Sequence, residues 1–243
     1  MATTVQDSIN FAETLIQYSP LAVGTANQPA LEISNEIQST VFSPPLTWGF
    51  NRKEDSTLST AAGTQDYIVP LTDFSFLEKV SLTDANGVVF EILDVKNTAA
   101  LGKADASSNK QQRPNAVCVL LLTFGTSVTL RFMGVPDAVY NVTLTYQKLV
   151  VPLTALTGAG GTWSIPDSYR NIFTNLFVGE AMAVVDDARA VQYRQRGIAA
   201  LLAKAEGLSE MDKNMFLEQY WMRDRQMQAG ALRTQQAQQA RGV

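Results

Sequence analysis

The sequence predicts an α+β protein in which an α-helical bundle, formed from the N- and C-terminal segments, carries an inserted antiparallel β-sandwich or barrel-like domain. Apolar residues recur with helical spacing near both ends of the chain, and between them the spacing changes to the two-residue period of strands. Several short strands without intervening helices indicate a sandwich or a barrel. We expect N-terminal helices at 1–51, the β-domain at 52–165, C-terminal helices at 166–225, and an extended or partner-dependent helical tail at 226–243.

Two helices are predicted in the N-terminal segment. The first has apolar residues at helical spacing, and Thr4 with Asp7 resembles a capping box at its start. Its apolar positions are Val5, Ile9, Ala12 and Ile16. The second helix starts near Pro29, because proline suits the first turn of a helix, and Pro44-Pro45 ends it.

The middle of the chain predicts strands and hairpins. Asn86-Gly87 indicates a two-residue type I′ turn, because both positions of that turn need positive φ. A second hairpin is expected around Gly125, and the strongest alternation, at 140–149, predicts a half-buried antiparallel strand. Residues 67–71 read as an edge strand because they contain Pro70, and residues 97–115 read as a loop. We interpret 158–161 (Gly-Ala-Gly-Gly) as a linker out of the β-domain.

Helices return after this linker. Ser164 is expected to cap one helix, a second ends near Gly207, and a third is capped by Ser209 with Asp212. We expect the third helix to carry an apolar stripe, made by Met211, Met215, Tyr220 and Met227. The apolar stripe then fades into glutamine and alanine, and a helix without an apolar face is marginal in water.

The composition excludes most kinds of catalytic site. The chain has no histidine and one cysteine, so it has no Ser-His-Asp or Cys-His centre, no internal disulfide and no cysteine-based zinc site. The adjacent carboxylates Asp186 and Asp187 leave open an enzyme that binds Mg²⁺, although an N-cap or first-turn acid of a helix is the simpler interpretation. We therefore predict no enzyme and no catalytic, cofactor-binding or metal-binding residue. No apolar run is long enough to span a membrane, and no signal peptide is apparent.

Charge is unevenly distributed along the chain. Residues 1–51 contain four acidic residues and no basic one: Asp7, Glu13, Glu32 and Glu36. Beyond Tyr220 the only acid is Asp224, against Arg223, Arg225, Arg233 and Arg241. This pattern is explained either by solvated helix faces or by a basic tail that docks on an acidic partner.

A set of short motifs, taken in order, carries a family resemblance. Thr47-Trp48-Gly-Phe50-Asn51 follows a helix, and Gly63-Thr64-Gln-Asp-Tyr67 comes next. Pro136-Asp137-Ala-Val-Tyr140 then leads into a strand, and Ile165-Pro166-Asp-Ser-Tyr169 opens the later helices. Over residues 30–220 this arrangement resembles the head-to-tail adaptor proteins of tailed bacteriophages, including the tail tubular protein A type.

The resemblance implies a structural subunit of the virion, at the head-tail junction. It implies a homo-oligomeric ring, usually of twelve copies, below the portal protein. Such a ring extends the channel for passing genomic DNA and offers a surface to the next tail component. The candidate portal contacts lie in the tail: Arg223, Arg225, Arg233, Gln235, Gln236 and Arg241. The four N-terminal acids are the candidates for the channel lining. The alternative is a binding module, in which the β-domain attaches to a fibre or a host glycan and the helices anchor it.

Overall fold

The computed structural model describes residues 4–16, 29–94, 110–184 and 187–218. The helices are α1 (Val5–Ile16), α2 (Pro29–Val41), α3 (Arg170–Val184), α4 (Ala190–Lys204) and α5, described over 210–218. The strands are β1 (Arg52–Ser59), β2 (Asp66–Val69), β3 (Phe74–Thr83), β4 (Val89–Asp94), β5 (Ala116–Thr123), β6 (Ser127–Met133) and β7 (Asn141–Lys148). Within the described residues, helices therefore precede and follow the seven strands, and the α+β class is confirmed.

The two N-terminal helices form as their sequence patterns predict. The backbone N–H of Thr4 donates to Asp7 Oδ2 at 2.8 Å and the N–H of Asp7 donates to Thr4 Oγ1 at 3.2 Å, which completes the capping box of α1. The helix α2 begins at Pro29 and ends at Val41, before a cis Pro44-Pro45 bond. The described apolar stripe of α1 faces the core, since Val5, Ile9 and Ala12 are fully buried, and Ala30, Ile37 and Val41 of α2 are buried as well.

Apolar side chains from both ends of the chain share one cluster, here called the helical core. It combines α1, α2, α3 and α4 with Trp48 and Trp163. The helices α3 and α4 approach closely at two glycines: a Cβ on Gly179 would lie 2.8 Å from the Arg194 backbone N, and one on Gly197 would lie 2.7 Å from Leu176 Cδ2. The bundle geometry and the domain boundaries stay predictions, although helices from both ends contribute to this core.

The strands form one seven-stranded sheet with the order β1-β7-β3-β4-β5-β6-β2. The short segment 60–65 joins β1 to β2, which lie at opposite ends of that order, and the sheet curls into a half-barrel whose two edge strands do not pair with each other. Its concave side holds a second apolar cluster, the sheet core, which includes Phe74, Phe132 and Tyr146. The expected edge position of β2 is confirmed.

The sheet departs from the prediction in that it is not wholly antiparallel. Strands β4 and β5 pair in parallel at Leu93↔Ala116 and Asp94↔Val117. The long connection 95–115 makes this possible, because parallel neighbours need a crossover of about a dozen residues or more. The predicted loop at 97–115 lies mostly outside the described residues.

Both predicted hairpins are present, but the first has a longer turn than expected. The N–H of Gly87 donates to the carbonyl of Asp84 at 3.0 Å, and Asp84 N–H donates to Val88 O at 3.1 Å. With Gly87 at φ 79°, the loop contains three residues, 85–87, instead of the two of a type I′ turn. The Asp84 carboxylate favours the longer loop, because its Oδ1 accepts the N–H groups of Asn86 and Val88.

Three local interpretations need correction. Strand β1 was missed because its sequence is charged and polar, a composition that suits an exposed edge strand. The predicted linker at 158–161 forms a compact turn, in which Gly161 is buried and Gly160 O accepts two backbone N–H groups. Ser164 does not cap α3: a short 3₁₀ turn, Asp167–Tyr169, precedes the helix without a side-chain cap.

Candidate functional site

The helices and the sheet meet at the segment 47–51, which carries one of the motifs noted in the sequence. Trp48 is buried, and its Nε1 donates to the carbonyl of Val41 at 2.8 Å. Asn51 Nδ2 donates to Lys148 O at 2.9 Å, at the end of β7. The ring of Tyr169, from the later Ile-Pro motif, packs on Trp48 and Phe50. These contacts bring two distant motifs into one junction between the helical core and the sheet.

Charged side chains extend this junction onto the sheet. Arg52 Nε lies 2.7 Å from Glu78 Oε2, and its guanidinium also reaches Glu206 Oε2 at 3.1 Å. The hydrogen bond with Glu78 is the main cause that raises the pKa of Arg52. We refer to Arg52, Glu78, Gln147 and Glu206 as the polar joint. Through it, β1, β3 and β7 are tied to the chain that leaves α4.

Sequence reasoning missed the polar joint because it reads Gln147 as the outward face of a half-buried strand. Gln147 is 1 % exposed, since β7 lies between β1 and β3 and the Trp48 segment covers its end. Its Nε2 donates to Trp48 O at 3.1 Å and also contacts the Glu78 carboxylate. A two-residue period indicates on which face of the sheet a side chain lies. It does not indicate whether a segment outside the sheet packs over that face.

The other two motifs hold the loops at the opposite end of the sheet. Tyr67 Oη accepts the N–H of Ala61 at 2.8 Å and donates to Thr64 O at 2.8 Å. Tyr140 Oη donates to Asp137 Oδ1 at 2.8 Å. The motifs that carry the family resemblance therefore stabilise loops and the junction between the helical core and the sheet.

The candidate channel-lining acids occupy the first two helices. Asp7 and Glu13 lie on α1, and Glu32 and Glu36 lie on α2. Asp7, Glu32 and Glu36 are exposed, while Glu13 is half-buried. The Thr4 backbone hydrogen bond is the main cause that lowers the pKa of the Asp7 carboxyl. The two helices contact each other, so these acids lie on neighbouring helices.

All candidate portal contacts lie outside the described residues, in 219–243. The described chain leads to them through α5, whose predicted cap is confirmed: Ser209 Oγ donates to Asp212 Oδ2 at 2.6 Å and Asp212 N–H donates to Ser209 Oγ at 3.1 Å. The described part of the predicted apolar stripe is not a core face, and Tyr220 and Met227 lie outside the described residues. Met211 and Met215 are 71 % and 47 % exposed, because the neighbouring Phe216 and Leu217 pack on the helical core instead.

Asp187 lies between two helices, but it is neither the N-cap residue nor a first-turn acid of α4, so the simpler interpretation of the carboxylate pair needs correction: Arg189 is the N-cap residue and no side chain caps the helix. The N–H of Asp187 donates to Met182 O, near the end of α3, and its carboxylate accepts the N–H of Arg189 at 2.9 Å. The side chain of Arg189 lowers the pKa of Asp187 to about 2. The same guanidinium donates to the carbonyl of Leu15 in α1 at 3.1 Å. Asp186 lies outside the described residues.

An exposed apolar row crosses the outside of the sheet near one end. Ile68 on β2 pairs with Thr129 on β6, and Thr129 pairs with Leu121 on β5. Ile68 and Leu121 are 74 % and 60 % exposed, and Phe124 in the adjoining turn is 69 % exposed. Three large apolar side chains in one region are a candidate contact for a protein partner.

Few other features of the described residues suggest chemistry. Within the described ranges, no group of three or more His, Cys, Asp or Glu side chains could hold a metal ion. Cys118 is buried, and desolvation raises the pKa of its thiol. No helix in the described part of the chain is long and apolar enough to cross a membrane.

Comparison with known proteins identifies the family. The family model described as SU10 adaptor protein matches residues 3–240. The chain belongs to the SU10 adaptor protein family. This membership confirms the resemblance to bacteriophage head-to-tail adaptors, and it makes a structural role in the phage the coarse function of the chain. No curated protein was found to match it.

Proposed function

We propose that this protein forms a ring below the portal at the head-tail junction of the virion. The ring extends the channel through which DNA passes and provides the attachment surface for the next tail component. The match to the SU10 adaptor protein family over 3–240 carries this proposal. Twelve copies is the number that the family resemblance implies.

The C-terminal tail is the proposed contact with the portal. Residues 219–243 contain four arginines and one acid, and arginine suits acidic or carbonyl-rich grooves between portal subunits. The candidates are Arg223, Arg225, Arg233, Gln235, Gln236 and Arg241. Alanine and glutamine are good helix formers, so the tail can become helical when a partner supplies the apolar contact that it lacks.

The acids of α1 and α2 are the proposed lining of the channel. A channel that lets DNA slide must not hold its phosphates, and carboxylates repel them. Asp7, Glu32 and Glu36 are exposed, which suits this role, and residues 1–51 contain no basic residue that would attract DNA.

The outer face of the half-barrel is the proposed attachment surface for the tail. The apolar row of Ile68, Leu121 and Phe124 favours a protein partner over a glycan, because it is aliphatic for the most part. A contact of this kind is compatible with either a tail component or a fibre.

The test compares the protein alone with the protein mixed with its portal. We expect a monomer or small species alone, because the described surface has scattered apolar side chains and no long apolar seam. Light scattering measures this, and negative-stain images of the mixture should contain rings on the portal. A stable large ring of the protein alone would contradict templated assembly, and failure to bind the portal would contradict the adaptor role.

A further inference from the structure

Residues 205–218, here called the strap, are less buried than the helix α4 before them. None of these residues is buried, whereas α4 alone buries five, including Arg194, Ile198 and Leu201. The apolar contacts of the strap come from half-buried side chains that lie against the helical core: Ala205, Leu208, Phe216 and Leu217. Segments with few buried apolar contacts open at lower free energy than the core.

A half-open cavity lies between the strap and the polar joint. It has a volume of about 400 Å³ and is lined by residues of the strap and of the polar joint, among them Thr47, Arg52, Glu78, Glu206 and Asp212. Because this lining is mostly polar and charged, water can fill the cavity without a large penalty. Detaching the strap therefore exposes little new apolar surface on this side.

Polar contacts at one end fasten the strap to the body. Glu206 N–H donates to Thr47 O at 3.1 Å, and Thr47 Oγ1 donates to Glu206 O at 2.7 Å. The Glu206 carboxylate adds the ion pair with Arg52 at 3.1 Å. The Glu206 side chain is 49 % exposed, while Glu78, the other partner of Arg52, is 11 % exposed. Arg52 can thus release Glu206 and keep its buried partner.

Gly207 follows these contacts with Thr47 and Arg52, and it has the backbone freedom of a hinge. Its φ is 67°, a conformation that glycine adopts without strain. Among the described residues, a Cβ at this position would have only Thr47 Oγ1 within 4 Å, at 3.8 Å, so the backbone here has room to turn.

We propose that the strap opens from the body as a unit while α3, α4 and the sheet stay folded, and that the Arg52–Glu206 ion pair is its latch. Opening frees the helix 210–218 and uncovers Phe216 and Leu217. This inference goes beyond the proposed function, since it concerns the isolated chain and needs no portal.

Native-state hydrogen exchange on the full-length protein tests the proposal. We expect amides of the helix 210–218 to exchange at least about tenfold faster than those at the centre of α4, as expected for sub-global opening. Glu206→Gln should raise exchange in the strap about two- to five-fold and leave α4 unchanged, because exposed ion pairs are weak. The matched control is Glu91→Gln, which breaks the exposed Lys79–Glu91 pair on the sheet and should leave the strap unaffected.

A second variant changes the hinge residue. Gly207→Ala makes the left-handed conformation costly, so it should also raise exchange in the strap and leave the thermal transition of the body in place. The proposal is overturned if the strap exchanges as slowly as α4, or if Glu206→Gln leaves its exchange unchanged. It is also overturned if Gly207→Ala lowers the melting temperature of the whole protein without a selective change in the strap.

Discussion

The helical core and the sheet core differ in how completely they are closed. In the helical core, α3 and α4 touch at Gly179 and Gly197, and Arg194 is held by Glu180 at 2.6 Å with 6 % of its side chain exposed. The half-barrel encloses one face and leaves large apolar side chains such as Ile68 and Leu121 on the other. The difference indicates a firm helical framework beside a sheet with free surface for a partner. The polar joint connects the two.

Truncating one buried phenylalanine in each core should have the largest effect on stability, and the two variants can be compared directly. Phe177 and Phe132 are fully buried in the helical core and the sheet core, respectively. Each change to alanine should lower the free energy of unfolding by about 3–5 kcal/mol. Calorimetry of both variants then tests the predicted domain boundary at 52–165.

The two variants separate two possibilities for the boundary. If 52–165 folds as its own domain, Phe132→Ala should split the thermal transition and shift only the part that belongs to the sheet. A single, equally shifted transition in both variants would instead make the two cores one cooperative unit, and the predicted division into domains would be wrong.

Introducing a methyl group between α3 and α4 should have the next largest effect on stability. In Gly179→Ala the new Cβ meets the backbone N of Arg194 at 2.8 Å, so the helices must separate. We expect a loss of about 1–3 kcal/mol in chemical denaturation, as for other overpacked cores. The control is Gln195→Ala on the exposed side of α4, which should change stability by less than about 0.5 kcal/mol. An unchanged Gly179→Ala variant would mean that the helical framework is looser than described.

Removing a buried hydroxyl group from the sheet core should have a smaller effect on stability. Tyr146 is fully buried, and its Oη donates to Asp73 Oδ1 at 2.8 Å. Burial, followed by this hydrogen bond, raises the pKa of Tyr146 to about 12. Tyr146→Phe should cost about 1 kcal/mol in urea denaturation. A gain in stability would show that Asp73 is satisfied by Lys53 and solvent without Tyr146.

The smallest expected effect concerns the acid sensitivity of the α3–α4 connection. The pKa of Asp187 lies at about 2, below its ordinary value of 3.8, because Arg189 binds the carboxylate. A lowered folded-state pKa gives stability that is present above the unfolded pKa and is lost as the pH falls from about 4 through 2. Asp187→Asn should therefore lower the melting temperature at pH 7 and match the unmodified chain near pH 2. An equal difference at both pH values would contradict this role.

Much of the fold could be predicted because short sequence patterns specify these helices and hairpins. The Thr4–Asp7 and Ser209–Asp212 caps, the start of α2 at Pro29 and both hairpins follow from residues close together in sequence. The parallel pairing of β4 with β5 could not be predicted, since it depends on the path of a long connection. Strand β1 was missed because charged residues on an edge strand leave no alternation to detect.

The candidate sites could be predicted less well from the sequence. The polar joint unites Arg52, Glu78 and Glu206, which are far apart in sequence and have ordinary charges. The exposure of Met211 and Met215 was also unexpected, because a stripe at helical spacing has the same appearance whether it is buried or free. The portal and channel candidates stay predictions, since they depend on partners and on the assembled ring.

The binding of the portal by a truncated protein tests the central claim most directly. Deleting 226–243 should leave the thermal transition of the body nearly unchanged, because this stretch has little apolar surface to pack against it. It should remove most of the affinity for the portal, measured by interferometry on immobilised portal. Raised salt should weaken the intact complex if the arginine contacts matter. The account predicts a stable truncated protein that binds the portal poorly, and a truncated protein that binds as tightly as the full chain would contradict it.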